Sequence, residues 1–167
     1  MPELSTSLPK AFTFEEMLAA NEAETTRWYE WLKKQPPELL DVAAPIASSE
    51  TVRTILLHIW GVELRYSDGV ADRTPTDITG MTNYSLDELY ALHTRAMQNF
   101  REWLATATPE LLGQILENKW FRASKRKCFL QAMEHGIRHF AQLAVVLRQA
   151  GHPTDWGHDI IFNPAIE

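Results

Sequence analysis

Apolar residues recur at the three- and four-residue spacing of an α-helix along most of this chain, and this pattern constrains the fold more than any other feature. Four long segments follow it, at about residues 14–34, 50–71, 85–108 and 125–150. Each segment needs a partner for its apolar face. We therefore predict an all-α protein, a four-helix bundle of long helices, in a single domain spanning residues 1–167. A compact C-terminal tail is expected to pack back on the bundle.

Capping residues predict where these helices begin and end. The predicted N-caps are Thr13, Ser48 or Ser49, and Ser85. Glu16 and Glu88 complete capping boxes for the first and third helices. Gly151 suits the position just after the last helix. Residues 111–124 are the least regular part, and they are expected to hold a short extended piece near residues 119–121 or a poorly formed helical turn.

Composition narrows the possible partners and compartments. The 167 residues carry a formal net charge of −6, which disfavours nucleic acid and anionic membranes because both select basic surfaces. No segment has the roughly 20 apolar residues of a membrane span. Residues 1–10 lack the apolar run of a signal peptide, and Cys128 is the only cysteine, so a cytoplasmic protein is expected.

One short basic cluster, Lys125–Lys127 with Arg122, stands out against this acidic background. We interpret it as a solvated helix start. Its functional alternative is a docking site for an anionic cosubstrate.

Histidines supply the clearest functional signal. His135 and His139 are four residues apart in the last helix, so they share one helix face. His58 lies beside the apolar stripe of the second helix. Burying three imidazoles requires three separate partners or one shared metal ion, and the shared ion is the simpler arrangement. We therefore predict that His58, His135 and His139 bind one divalent metal ion.

Three further polar residues are candidates for the site. Glu63 could be a ligand, a supporting group behind a ligand or a proton acceptor; alternatively it bends outward or pairs with Arg27 or Arg65. His93 could be a fourth ligand, although a core histidine bonded to a carbonyl is the commoner case. In the tail, His158 is a candidate for capping the site.

The last helix has two apolar stripes, which we place on roughly opposite sides. The first stripe contains Leu130, Met133, Ile137, Phe140, Ala141 and Ala144. The second contains Cys128, Ala132, His135, His139, Leu143 and Val146. Such a helix is expected to be buried on two sides, against the bundle core and against either a second subunit or the tail. Cys128 lies about two turns, or 10.8 Å, before His135 and is interpreted as a small core residue.

Two segments of this sequence resemble the DinB-like superfamily. Residues 57–63, which contain His58 and Glu63, are similar to its first histidine segment. The pattern His135-x-x-x-His139-x-x-Gln142, followed by residues 147–151, resembles its last-helix segment. The family often has Arg-Gly after the last histidine, where this chain has Phe140 and Ala141. The resemblance implies a four-helix bundle, a homodimer, and zinc or nickel bound by the three histidines.

The resemblance also implies a class of chemistry. Family members with assigned activities include transferases and isomerases that use low-molecular-weight thiols. Three nitrogen ligands leave a coordination position open, as in catalytic zinc sites, where a thiol or a water could bind. The first hypothesis is therefore a metal-dependent transferase that joins a small thiol to an electrophile, with Glu63 as a catalytic candidate. The alternatives are a metal-dependent hydrolase and a stress-related binding or structural protein without turnover.

Overall fold

The computed structural model describes residues 11–166; the expectation about a signal peptide concerns residues 1–10, which lie outside this range. Four long helices form the body, and the prediction of an all-α bundle is confirmed. These are α1 (Phe14–Leu32), α2 (Val52–Val70), α3 (Leu86–Leu104) and α5 (Lys125–Gln149). The short helix α4 (Pro109–Gly113) and the strands β1 (Ile115–Glu117) and β2 (Arg122–Ser124) lie between α3 and α5. Two 3₁₀ helices, Pro37–Asp41 and Ile160–Phe162, complete the elements.

The second helix has the most extensive packing, since α2 contacts both α3 and α5 along its length, while α1 packs against α3 and α5. Large side chains with almost no exposed surface fill the space between the helices. They include Trp28, Trp60, Phe100 and Phe129. Burying each such side chain contributes about 1.5–3 kcal/mol, so the helices that carry the histidines are held by a well-packed core.

Local capping confirms two helix starts and corrects a third. Reciprocal capping boxes begin α1 at Thr13 with Glu16 and α3 at Ser85 with Glu88. The predicted cap of α2 at Ser48 or Ser49 is wrong, because Thr51 is the N-cap and exchanges hydrogen bonds with Thr54. An antiparallel bridge between Ala43 and Thr51 holds the chain extended up to that residue, so the helix cannot start earlier.

The last helix ends just before Gly151, as predicted. This glycine has a φ of 88°, which a residue with a side chain rarely adopts. Its N–H donates to the carbonyl of Arg148, and the N–H of His152 donates to the carbonyl of Leu147. This pattern is a Schellman motif, which satisfies two of the free carbonyls at the helix end.

Residues 109–124 form more regular structure than the sequence indicated. After α4, the strands β1 and β2 pair antiparallel, with Ile115 opposite Ser124. The expected extended piece at residues 119–121 is instead the turn between the two strands. Trp120 in that turn is 75% exposed.

Within the single chain, helix α5 is buried over one broad face. Phe129, Gly136 and Leu147 are buried and lie between the two predicted stripes, so the stripes merge. Ile137 is 56% exposed, and Ala141 is exposed as well. The tail therefore leaves these two residues uncovered, and burial of this face against a second subunit stays a prediction.

The basic cluster at the start of α5 is also only partly solvated. Lys125 is 1% exposed, and its Nζ lies 2.6 Å from Oδ2 of Asp72, just after α2. Arg126 and Lys127 are exposed, as expected. Lys125 therefore joins the two helices that carry the histidines and is not part of a solvated surface.

The helices within residues 11–166 do not meet the requirements for crossing a bilayer. Each of them is too short or too polar to cross a membrane.

Candidate metal centre

Three histidines converge between α2 and α5. His58 comes from α2, and His135 and His139 come from consecutive turns of α5. Their ring centroids are 4.4–4.8 Å apart, and one potential ligand atom from each lies within 4.8 Å of the others. Histidine, cysteine, aspartate and glutamate side chains can all bind metal ions. Among residues 11–166, the three histidines are the one group of three or more such side chains with this geometry.

The closest contact fits a shared ion. Nε2 of His135 lies 3.0 Å from Nε2 of His58. Two nitrogens bound to one tetrahedral ion at about 2.0–2.1 Å are about 3.4 Å apart. The arrangement therefore needs only a small adjustment of the side chains to bring these nitrogens to ligand distances. Neutral imidazole nitrogens are also donors that divalent transition metals prefer.

A hydrogen bond orients the third ring. Nδ1 of His139 lies 2.7 Å from Oε1 of Gln142, one turn further along α5. A glutamine carbonyl oxygen accepts only, so Nδ1 carries the proton and Nε2 keeps its lone pair free. Sequence reasoning quoted Gln142 as part of a family segment but gave it no role. The three-residue spacing from His139 was the signal that could have revealed it.

Burial keeps two of the imidazoles, those of His58 and His135, neutral. Burial, and then the neighbouring His58, His139 and Arg138, lower the pKa of His135 to about 3. The pKa of His58 is lowered as well, by burial and then by His139. Nδ1 of His135 is buried and has no hydrogen-bond partner within the described part of the chain. At neutral pH these two rings are therefore uncharged, as metal ligands must be.

Glu63 does not join the three histidines. It is 2% exposed, and each of its carboxylate oxygens accepts a hydrogen bond. Nδ2 of Asn21 on α1 donates to Oε1, and Nδ1 of His93 on α3 donates to Oε2 at 2.6 Å. The carboxylate is thus bonded to these two residues and not to Arg27 or Arg65. His93 is bonded to a carboxylate in the core and is not a fourth member of the trio.

Two other residues considered from the sequence also lie apart from the trio. His158 bonds through Nδ1 to Glu24 at 2.7 Å, and its ring stacks on Trp28. It therefore fastens the tail to α1. Cys128 is 1% exposed, and burial raises the pKa of its thiol, which supports its interpretation as a small core residue.

The fold and this centre together define a class: helical-bundle proteins whose histidine trio could hold a divalent metal ion. The chain belongs to the DinB family, since the model of that family matches residues 5–161. A crystal structure of a DinB-like protein from Bacillus subtilis has a similar fold, with a TM-score of 0.58. The two proteins are 19% identical, and the match covers 86% of this chain and 94% of that one. Comparison with curated proteins found no match.

Proposed function

We propose that this protein binds a divalent metal ion, zinc or nickel, through His58, His135 and His139. The observation that carries the proposal is the convergence of three mostly buried imidazole rings from two helices. The lowered pKa of His135 and the hydrogen bond that holds His139 support it, because both leave a nitrogen lone pair available. Separate partners for three buried rings would be the alternative, yet Nε2 of His135 faces only Nε2 of His58, and Nδ1 of His135 has no partner among residues 11–166.

We further propose that the centre is catalytic and transfers a low-molecular-weight thiol to an electrophile. Metal coordination would supply a lower pKa for a thiol or a water bound beside the three nitrogens. In the overall reaction the S–H bond breaks and the sulfur bonds to the electrophilic carbon, while a leaving group departs from that carbon with its electron pair and takes up the proton. His58 is only partly buried, which supports access from outside the bundle. His93 is engaged by Glu63, which supports a coordination position left for a small molecule.

The same three histidines are compatible with two other functions, which differ in what occupies the open coordination position. If the open position takes water, the protein is a metal-dependent hydrolase. If it takes no substrate, the protein is a stress-related metal-binding or structural protein. We favour the transferase because family resemblance implies thiol chemistry, and we expect a homodimer on the same ground.

Metal analysis followed by a substrate screen tests these proposals in order. The purified protein should contain about one zinc or nickel ion per chain, and X-ray absorption spectroscopy should show nitrogen ligands plus solvent. The metal-loaded protein is then mixed with several cellular thiols and a generic electrophile, and in parallel with ester and amide substrates. Conjugation supports the transferase, and hydrolysis alone replaces it with the hydrolase. A fourth protein ligand in the spectrum would overturn catalysis, and the absence of metal after loading would overturn the whole proposal.

A further inference from the structure

A second buried polar cluster lies beside the metal centre and is made of Asn21, Glu63 and His93. The three side chains are 4%, 2% and 1% exposed, and they come from α1, α2 and α3. Glu63 stands at their centre and accepts a hydrogen bond on each oxygen. Buried carboxylates are rare unless they are compensated in this way. The cluster thus fixes the positions of three helices relative to one another.

The same cluster touches the fourth helix at the turn that carries two ligands. A Cβ atom added to Gly136 would lie 3.2 Å from Oδ1 of Asn21 and 3.9 Å from Cγ2 of Ile59. Gly136 directly follows His135, and Ile59 directly follows His58. The absence of a side chain at Gly136 therefore lets α1 and α2 approach α5 where His135 and His139 are held.

From these contacts we infer that Asn21, Glu63 and His93 position the histidine trio, and that Glu63 acts on the site through helix placement and not on the substrate. The inference rests on the proposed metal binding. Glu63 is 2% exposed and each of its oxygens accepts a hydrogen bond from a core side chain, so the carboxylate is held by Asn21 and His93 and not turned towards a reactant. Asn21 links Glu63 to α5, because its amide nitrogen donates to Glu63 while its amide oxygen faces Gly136.

Two substitutions at Glu63 distinguish the effect of its hydrogen bonds on helix position from the effect of its negative charge. Glu63→Gln keeps the shape of the side chain: its oxygen accepts from Asn21, and its amide group donates to Nδ1 of His93 once the ring proton moves to Nε2. Glu63→Ala leaves both partners buried without an acceptor. The positioning role predicts that zinc affinity persists in Glu63→Gln and falls by about tenfold or more in Glu63→Ala, in the range expected for residues that support metal ligands.

Gly136→Ala tests the same inference from the other side of the contact. The new methyl group would lie 3.2 Å from Oδ1 of Asn21, so the Asn21 side chain or the turn that carries His135 must shift by a few tenths of an ångström. Alanine favours the helix more than glycine does, so the fold is expected to survive. Zinc affinity should nevertheless fall by about tenfold, because the ligands are moved apart.

Asp68→Ala is the matched control. Asp68 is also on α2, is 0% exposed and accepts hydrogen bonds from Asn99 and Thr76. Removing its carboxylate disturbs the core in a similar way at a distance from the trio. Its zinc affinity should stay within about twofold of the parent, as expected for sites that share no partners.

Zinc affinity of the folded, full-length variants is measured by competition with a chelating dye, and crystal structures of the metal-free proteins supply a second measurement. The separation of the Nε2 atoms of His58 and His135 should stay near 3.0 Å in the parent and Glu63→Gln, and should widen in Glu63→Ala and Gly136→Ala. Equal loss of affinity in Asp68→Ala and Glu63→Ala, or an unchanged separation in all variants, would overturn the positioning role. If the parent binds no zinc, metal binding fails, and the crystallographic separations alone decide the inference.

Discussion

His58 and His135 are separated by 77 residues in sequence, yet their Nε2 atoms lie 3.0 Å apart. The packing of α2 against α5 brings them together, with Ile59 and Gly136 at the contact. Because the backbone and core already place the rings, a metal ion would not have to pull two distant segments of chain together. Such preorganisation lowers the entropic cost of binding the ion.

Loss of one imidazole should abolish this centre without unfolding the bundle. We expect His139→Ala to weaken zinc binding by about 100-fold or more, beyond the usual effect of changing a supporting residue. Far-ultraviolet circular dichroism should be unchanged, since the helices depend on the core. His152→Ala, in the loop after α5, is the matched histidine control. Equal zinc content in His139→Ala and the parent would exclude this residue as a ligand.

The hydrogen bond from His139 to Gln142 gives a second prediction. Gln142→Ala should lower zinc affinity by about 10- to 100-fold, because the ring of His139 would lose the acceptor that fixes its proton on Nδ1. Gln149→Ala, at an exposed position near the end of the same helix, should have no effect. Isothermal titration of the metal-free proteins with zinc measures both. If the two variants bind zinc equally well, the role assigned to Gln142 is wrong.

The pairing of His135 with His139 was predictable because its evidence is local. The spacing of His135 and His139 places them on one helix face whatever the rest of the chain does, and the buried stripe of α2 accounts for His58. The partners of Glu63 could not be read in this way, because Asn21 and His93 reach it only through the packing of three helices. Lys125 was missed for a similar reason, since its partner Asp72 lies 53 residues earlier in the chain.

The boundaries of the elements show the same limit. Thr13 and Ser85 were identified as N-caps because their capping partners are three residues away. At the start of α2 several hydroxyl residues compete, and the bridge from Ala43 to Thr51 decides between them. That bridge depends on the path of the preceding loop, which the helical pattern does not describe.

Acid should destabilise the metal-free protein through the buried imidazoles. The pKa of His135 is about 3 in the folded chain and about 6.5 in an unfolded one. Between these values the unfolded chain binds a proton that the folded chain does not, so the free energy of unfolding falls as the pH falls. One such group contributes at most about 1.4 kcal/mol per pH unit, and His58, whose pKa is also lowered, adds to the trend.

Urea unfolding in the presence of a chelator, between about pH 7 and about pH 5, measures this dependence. His135→Gln removes the titrating ring and should reduce the slope of stability against pH. Carboxylates contribute to the pH dependence of the unfolding free energy in both the parent and His135→Gln. The difference between the two slopes therefore reports on His135 alone. Parallel slopes would show that the ring is not held neutral in the folded state.

Burial should also protect the single thiol of the chain. Cys128 is 1% exposed, and burial raises the pKa of its thiol above the ordinary value, so little of the reactive thiolate is present. We expect iodoacetamide to label the protein in denaturant but not in native buffer over the same time. Rapid labelling of the native protein would contradict this. It would also reopen a role for Cys128 in the chemistry, which the proposed transferase assigns to a separate thiol molecule.

The corrected start of α2 predicts which hydroxyl stabilises the helix that carries His58. The side chain of Thr51 accepts a hydrogen bond from the N–H of Thr54, and the side chain of Thr54 accepts one from the N–H of Thr51. Thr51→Ala should therefore cost about 1 kcal/mol of unfolding free energy. Ser48→Ala, at an exposed position before the bridge, should cost almost nothing. Urea unfolding of the metal-free variants provides the comparison. Equal losses for the two substitutions would place the cap back among the serines and would mean that α2 begins earlier than residue 52, which would also lengthen the helix segment ahead of His58.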